Sequence, residues 1–168
     1  LGRAYVQGWQ GDDLSDKQTL MACLKHYALY GAAESGRDYN TTDMSENRMF
    51  NEYLLPYQMC VEAGVGSVMT SFNDINGTPA TANRWLQNDV LRDKWNFDGF
   101  IVTDYGAIRE MKAHGLGGDD VVTERALDAT VDMDMCSELY ITQLEKLLNE
   151  KRITEQQIDD ACRRVLQA

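Results

Sequence analysis

The sequence has few of the residues that build metal sites, and it lacks segments that could enter a membrane. Its 168 residues include two histidines and four cysteines, and no two cysteines form a C-x-x-C pair. A zinc or iron–sulfur centre is therefore not expected, and the sequence predicts no cofactor. No apolar run approaches the roughly 18 residues of a membrane-spanning helix. No basic segment followed by an apolar stretch indicates a signal peptide.

Basic residues are scarce relative to acidic ones, and the net charge is −11. Such a surface repels phosphate backbones and anionic lipid heads, so nucleic acid and membrane surfaces are poor candidate partners. A neutral small molecule such as a sugar is compatible with this charge. Apolar residues make up 43% and charged residues 26% of the chain, which is typical of a globular protein.

The four cysteines lie in segments with an apolar pattern, which favours buried free thiols; they are Cys23, Cys60, Cys136 and Cys162. Two disulfides in an oxidising compartment are the alternative. The chain begins with Leu1 rather than Met and enters helix-like sequence at once. We therefore expect it to be a piece of a longer protein.

Apolar, strand-like runs alternate with helix-like segments along the chain. The runs lie near Leu20–Tyr27, Ser67–Phe72, Gly99–Thr103 and Thr130–Met135. This alternation predicts parallel βαβ units and an α/β fold. Four βα units are half of a (β/α)8 barrel, so we expect residues 1–168 to form one partial barrel domain. An open doubly wound sheet is the rival fold, but the glycine-rich turn after a strand that marks it is missing.

Each strand-like run ends in polar residues. The first ends in Lys25 and His26, and the third ends in Asp104. A buried strand has no structural need for a charged end, whereas a (β/α)8 barrel builds its active site at the carboxyl ends of its strands. The remaining polar residues at such ends are Ser71, Asn73, Asp74, Asp132 and Asp134. We expect these side chains to converge on one mouth.

Local signals predict where several helices begin. Asp43 with Glu46, and Thr154 with Gln157, have the spacing of capping boxes. Asn83 precedes an apolar-periodic segment and can cap it. Two C-terminal helices are expected to bury apolar faces, which carry Ile141, Leu144, Leu147 and Leu148 in the first, and Ile158, Cys162, Val165 and Leu166 in the second.

Asp104 is the leading candidate for chemistry, because its carboxylate follows a buried strand and burying it unpaired is costly. The alternative from the residues alone is a helix N-cap or an ion pair. Lys25 and His26 can present a cation and an imidazole to the same mouth, or can be a surface lysine beside a core histidine. Arg37 can bind substrate or pair with Glu34 or Asp38.

Asp74 and Asn76 are predicted mainly as turn formers, since the Asn76-Gly77 dipeptide favours tight turns. Asp132 and Asp134 can face the mouth, but their alternation with apolar residues also fits an ordinary strand. The residues alone therefore leave the membership of the site open.

Taken together, several segments resemble glycoside hydrolase family 3, and within it the periplasmic β-glucosidase type. The matching segments are Leu24–Ala28, Gly36–Asn40, Ser67–Asn73, Asn76–Ala80, Val90–Arg92, Trp95–Tyr105 and Val131–Met135. They run nearly from end to end, and their order and spacing are far more specific than any single motif. The resemblance places the chain in the second half of the catalytic barrel.

The resemblance implies a retaining β-glycosidase in which Asp104 is the nucleophile. The residues it implies for sugar binding are Lys25, His26, Arg37, Met69, Phe72 and Tyr105. Phe72 stands where many members carry Tyr, and Tyr105 where many carry Trp, which leaves the sugar preference open. The second carboxyl group that the mechanism needs matches no residue of this chain and is expected on a later domain.

The leading hypothesis is hydrolysis of terminal β-glucosyl residues by the parent protein, in the periplasm or after secretion. The expected partners are a small β-glucoside or oligosaccharide, together with the remaining barrel half and C-terminal domain of the same parent chain. A β-xylosidase, or another β-glycosidase of the family, is the near alternative. A non-catalytic sugar-binding half-barrel is the alternative from another class. A β-N-acetylhexosaminidase is disfavoured, because Tyr27–Gly31 lacks that branch's Pro-Gly-His-Gly segment.

Overall fold

The computed structural model describes all residues 1–168 as an α/β fold. Its α-helices are α1 Gly2–Gln10, α2 Glu46–Arg48, α3 Leu55–Val61, α4 Ala107–Glu110, α5 Asp119–Asp128, α6 Leu139–Asn149 and α7 Glu155–Leu166. Its strands are β1 Cys23–Tyr27, β2 Ser67–Thr70, β3 Asp74–Ile75, β4 Thr78–Pro79 and β5 Phe100–Val102. Two π-helical segments span Met49–Tyr53 and Trp85–Lys94. No helix combines the length and the apolar character that a membrane span requires.

The main sheet is parallel, in the order β1-β2-β5, with β2 in the middle. Cys23 pairs with Ser67 across the first ladder, and Val68 pairs with Ile101 across the second. Helical segments connect each strand to the next, as the alternating pattern predicted. Because all three strands run in one direction, their carboxyl ends lie at the same edge of the sheet.

The strand predicted over 130–135 is present only as a parallel bridge between Val102 and Met133. The amide of Thr103 donates to the carbonyl of Met133 at 3.0 Å, which extends the sheet. The amide of Met135, however, donates to the hydroxyl of Thr103 at 2.9 Å instead of to a backbone carbonyl. A side chain therefore ends the ladder early, although this segment still occupies the fourth position of the sheet.

A two-stranded hairpin, β3-β4, follows β2. Its turn residues Asn76 and Gly77 have φ angles of 49° and 83°, so the predicted tight turn is confirmed. Thr42 extends the hairpin, since its amide donates to the Asp74 carbonyl at 2.8 Å and its carbonyl accepts from the Asn76 amide at 3.0 Å. The hairpin is thereby joined to the connection that follows β1.

One hydrophobic core fills the space between the main sheet and its helices. Val68 and Ile101 are fully buried there, in one cluster with Leu86 and Leu91. Burying each such side chain stabilises the fold by about 1.5–3 kcal/mol. Because side chains alternate along a strand, Met69 lies on the other face of the sheet, where it is half-buried.

Two of the predicted helix starts are confirmed. The Asn83 side-chain oxygen accepts from the Leu86 amide at 3.1 Å. Thr154 and Gln157 form the expected capping box, in which the Gln157 side chain accepts from the Thr154 amide at 2.9 Å. In both caps the donor and the acceptor lie within four residues, so whether the cap forms depends little on the rest of the fold.

The predicted capping box at Asp43 and Glu46 is wrong. The N-cap of α2 is Ser45, whose hydroxyl accepts from the amide of Arg48 at 3.3 Å. Ser45 immediately precedes the helix and therefore reaches the amide three residues on, whereas Asp43 lies two residues too early.

The apolar faces expected for the last two helices are buried only in part. Leu147 is fully buried, but Ile141 is 87% exposed. In α7, Ala161 is buried, whereas Cys162 and Leu166 are exposed. The amphipathic pattern is present in both helices, but no element of this chain packs against the outer part of their apolar faces. Cys23 and Cys136 are exposed as well, all four cysteines are free, and of the thiols predicted to be buried only Cys60 is.

A buried carboxylate joins three parts of the fold. Asp132 is fully buried and accepts from Arg92 at 2.6 Å, from Arg164 of α7 at 2.8 Å and from the Ile101 amide at 2.7 Å. Arg92 also donates to the hydroxyl of Thr130 at 2.9 Å. Burial raises the pKa of Asp132, and the two guanidinium groups oppose this effect. The network holds the fourth strand position to the helix before β5 and to α7.

We predict that Asp132→Asn lowers the free energy of unfolding by about 3–5 kcal/mol, because it leaves the Arg92 guanidinium buried without a full counter-charge. Urea denaturation followed by circular dichroism measures the change. The matched control is Asp128→Asn, which breaks the exposed ion pair with Arg84 and should cost less than about 1 kcal/mol. Equal losses in the two variants would contradict the role given to Asp132.

Candidate functional site

Asp104 stands at the carboxyl end of β5, one residue after Thr103. Its Oδ1 accepts from the amide of Tyr105 at 2.7 Å, and its Oδ2 lies 3.2 Å from Nε2 of His26. The Asp104 side chain is 17% exposed and that of His26 is 30% exposed. The carboxylate thus accepts one backbone hydrogen bond, lies beside an imidazole and still reaches solvent. Gly106, with a φ angle of 67°, then lets the chain turn into α4.

His26 reaches Asp104 from β1, across the end of the intervening strand β2. The carbonyl of His26 accepts a hydrogen bond from the hydroxyl of Tyr57 at 2.6 Å, which fixes this part of β1 to α3. The peptide bond between Lys25 and His26 is cis. Lys25 is exposed and forms no ion pair, so the structure brings only the second residue of the predicted pair into contact with Asp104.

Aromatic rings surround the His26 side of the site. The ring of Tyr30 packs edge-on against His26, with centroids 5.6 Å apart. Phe72 lies 6.2 Å from the Tyr30 ring and 4.7 Å from the ring of Tyr39. Tyr105, beside Asp104, is 71% exposed. Together these rings present apolar faces next to a carboxylate, an arrangement that can hold a molecule with both polar and apolar surfaces.

Tyr30 was not predicted from the sequence as a site residue. Partial burial raises its pKa, and the neighbouring charges of Asp38 and Asp104 act in the same direction. The phenol therefore stays protonated and can donate a hydrogen bond at neutral pH. Its only sequence signal was its position, four residues after His26 in the connection that leaves β1.

Two other predicted residues lie apart from these contacts. Arg37 is exposed and makes neither an ion pair nor a side-chain hydrogen bond, so the alternative of pairing with Glu34 or Asp38 is wrong. Met69 is half-buried on the face of the sheet opposite to Val68. Neither position conflicts with a role in holding a ligand, and that role stays a prediction.

The carboxylates of the fourth strand position have structural partners. Asp134 accepts from the amides of Leu139 at 2.8 Å and Tyr140 at 3.3 Å, so it caps the start of α6. Asp132 is held by its two arginines. Unlike Asp132 and Asp134, Asp104 therefore has an oxygen whose protein contact is a single imidazole. No three His, Cys, Asp or Glu side chains are arranged to hold a metal ion.

The arrangement around Asp104 suits nucleophilic chemistry. A carboxylate whose orientation is fixed by an imidazole and a backbone amide can attack an electrophilic carbon from its remaining lone pairs. The protonated phenol and the imidazole can donate to polar groups of the same ligand. The site thus offers one nucleophile, hydrogen-bond donors and apolar walls, but no second acid in contact with Asp104.

Comparisons with known proteins identify the family of this chain. The family model described as the glycosyl hydrolase family 3 N terminal domain matches residues 1–168. The periplasmic beta-glucosidase of Salmonella typhimurium is 46% identical over 167 residues, which are 99% of this chain and 22% of that protein. A beta-xylosidase of Formosa agariphila is 39% identical over 141 residues, which are 80% of this chain and 19% of that protein.

Solved structures are also similar to this chain. The beta-glucosidase of Listeria innocua in complex with glucose superimposes with a TM-score of 0.97 at 40% sequence identity. The match covers 99% of this chain and 24% of that one. A mutant of the same enzyme was solved in complex with laminaribiose, with the same TM-score. The chain thus spans about a fifth to a quarter of the proteins that it matches.

We predict that Tyr57→Phe lowers the stability of the protein by about 1 kcal/mol at neutral pH, because the His26 carbonyl loses its hydrogen bond. Burial raises the pKa of Tyr57 to about 12 from an ordinary value of 10.0. Since the folded value is the higher one, the stabilisation is complete below pH 10 and is lost as the pH rises towards 12. Urea denaturation of both proteins between pH 7 and pH 12 should show their difference shrinking. Tyr53→Phe is the control, because the Tyr53 hydroxyl forms no hydrogen bond. It should change neither the stability at neutral pH nor the dependence of stability on pH.

Proposed function

The chain belongs to glycosyl hydrolase family 3, and we propose that it is the second half of the catalytic (β/α)8 barrel of a retaining β-glucosidase. Four parallel strand positions follow one another along the chain and lie side by side in the sheet. Eight such positions close a barrel, so residues 1–168 supply half of the domain. The match to the Listeria innocua structures covers 99% of this chain and 24% of theirs.

Asp104 is the proposed nucleophile. The observation that supports this role is its position at the carboxyl end of β5, where it contacts His26 and the Tyr105 amide. One carboxylate oxygen attacks the anomeric carbon while the bond from that carbon to the leaving oxygen breaks. A carboxyl group outside this chain, about 5–5.5 Å away, protonates the leaving oxygen. The same group then takes a proton from water, which displaces Asp104 and releases the sugar with its original configuration. The contacts to His26 and the Tyr105 amide fix the carboxylate for this attack.

The sugar is proposed to lie between Asp104 and the residues around it. Its hydroxyl groups are bound by donors, and its apolar faces by side chains with large apolar surfaces. The donors are Lys25, His26 and Arg37, and the apolar walls are Met69, Phe72 and Tyr105. Lys25 and Arg37 are exposed and free of protein ion pairs, so their charged groups are available for a ligand.

A β-glucoside is the proposed substrate, and a β-xyloside is the second candidate. The relative named as a periplasmic beta-glucosidase has the higher identity, and a solved neighbour holds glucose. The relative named as a beta-xylosidase is also more than one third identical to this chain. Phe72 has no hydroxyl where many members of the family carry Tyr, so a xyloside stays a candidate substrate. Assays of the full-length parent with aryl β-glucoside, xyloside and galactoside separate the candidates. We further propose a periplasmic or secreted location, which the name of the first relative supports.

We expect a 2-fluoro-β-glucoside to label the full-length parent on the peptide that contains Asp104. Asp104→Asn should lower turnover of an aryl β-glucoside by about a thousandfold or more, because the nucleophile is lost. The matched control is Asp98→Asn, an exposed carboxylate at the opposite end of β5, which should keep wild-type turnover. An unlabelled protein after long incubation, with sugar binding retained, would support the non-catalytic alternative instead.

We also expect residues 1–168 by themselves to be inactive. The chain holds no second carboxyl group in contact with the site, so protonation of the leaving group has no source within it. An assay of the purified chain against an aryl β-glucoside, beside the full-length parent at equal concentration, measures this. Hydrolysis by the chain alone, above the rate of the Asp104→Asn variant, would contradict the proposed division of the catalytic groups.

A further inference from the structure

A second cluster of charged side chains lies near the edge of the sheet that carries Asp104, and the proposed chemistry does not use it. His114 places Nδ1 2.9 Å from Oδ1 of Asp74 and Nε2 2.9 Å from Oε2 of Glu110. The His114 side chain is 9% exposed, that of Asp74 is 17% exposed and that of Glu110 is 25% exposed. One largely buried imidazole therefore bridges two carboxylates.

The three bridged residues belong to segments that follow different strands. Asp74 begins the hairpin after β2, whereas Glu110 and His114 follow β5, with Glu110 only six residues beyond Asp104. The carbonyl of Asp74 also accepts from the amide of Thr42 at 2.8 Å, which attaches the connection after β1. The cluster therefore joins the three connections that leave β1, β2 and β5 at their carboxyl ends.

The two contacts of the imidazole differ. Nε2 of His114 has hydrogen-bond geometry to Glu110, whereas Nδ1 approaches Asp74 as a charge contact and Oδ1 of Asp74 has no hydrogen-bond donor. An ionised carboxylate only accepts hydrogen bonds, so the hydrogen between Nε2 and Glu110 is carried either by the imidazole or by a protonated Glu110. Desolvation raises the pKa of Glu110, which favours a shared hydrogen at this position. Other ionisable groups near the bridge are Tyr30, which the charge of Glu110 influences, and the exposed pair of Lys112 and Asp119.

We propose that His114 is a positioning residue that fixes the segment carrying Asp104 against the β3-β4 hairpin. The chain between Asp104 and His114 is short and turns through Gly106 in a left-handed conformation. Within it, α4 is only four residues long. A helix of that length has little stability of its own, so contacts with other segments set its orientation. The catalytic role of Asp104 rests on the proposed function. The bridge between the three segments rests only on the observed contacts.

Kinetics of the full-length parent test this role. His114→Ala should lower kcat for an aryl β-glucoside about tenfold or more and change KM little, because displacing a catalytic group by about 1 Å costs up to a hundredfold. Glu110→Gln should keep most of kcat, because its side-chain amide can still form a hydrogen bond with Nε2 while Nδ1 stays 2.9 Å from Asp74. Lys112→Met, which breaks the exposed ion pair between Lys112 and Asp119, is the control and should match the wild type.

A merely structural role for His114 would lower stability without producing this pattern. Loss of kcat in Glu110→Gln as large as in His114→Ala, or wild-type kcat in His114→Ala, would overturn the proposal. Should His114→Ala fail to fold, His114→Gln takes its place. A glutamine keeps one of the two contacts, so an intermediate loss of kcat supports the bridge and wild-type kcat contradicts it.

Hydrogen exchange of the full-length parent, followed by mass spectrometry, provides a readout that does not need activity. His114→Ala should speed exchange in both residues 72–80 and residues 104–116, whereas Lys112→Met should leave both unchanged. Unchanged exchange in His114→Ala would overturn the bridge even in an active enzyme. A wild-type parent that neither hydrolyses glucosides nor accepts the fluoro-sugar label would instead overturn the proposed function, and the exchange result would still decide the bridge.

Discussion

Parallel pairing of β1, β2 and β5 is the constraint on which the rest of this structure depends. The register of Val68 with Ile101 aligns the strands, and their common direction delivers three connections to one edge of the sheet. His26 and Asp104 are 78 positions apart in sequence, yet the ladder brings their side chains to 3.2 Å. No local interaction could do this, because the contact crosses the end of a third strand.

The same sheet separates aspartates that look alike in sequence into different roles. Asp132 is buried and paired with two guanidinium groups. Asp134 accepts hydrogen bonds from the first amides of α6. Asp104 keeps an exposed surface and has one imidazole and one amide as partners. Burial without partners is too costly for any of these carboxylates, so the partners available at each position determine which one stays free for a ligand.

The predictions that held depended on residues close together in the chain. The caps at Asn83 and Thr154, and the turn at Asn76, are decided within a few residues by hydrogen bonds and backbone conformation. Predictions that needed distant partners were less complete. Ile141 shows a helical apolar pattern, but a pattern does not say whether another element covers it, and here it is exposed. Arg37 likewise has acidic neighbours in sequence and pairs with none of them.

The sequence by itself determined the alternation of strands and helices and the local helix and turn signals, because these depend on residue type and short-range spacing. Its resemblance to a known family also pointed to the chemistry. Only the tertiary structure decided that His26 rather than Lys25 contacts Asp104, that Tyr30 and Tyr39 extend the aromatic wall, and that His114 bridges two connections. Such contacts join residues far apart in sequence, so they exist only once the parallel sheet has set the distances between its strand ends.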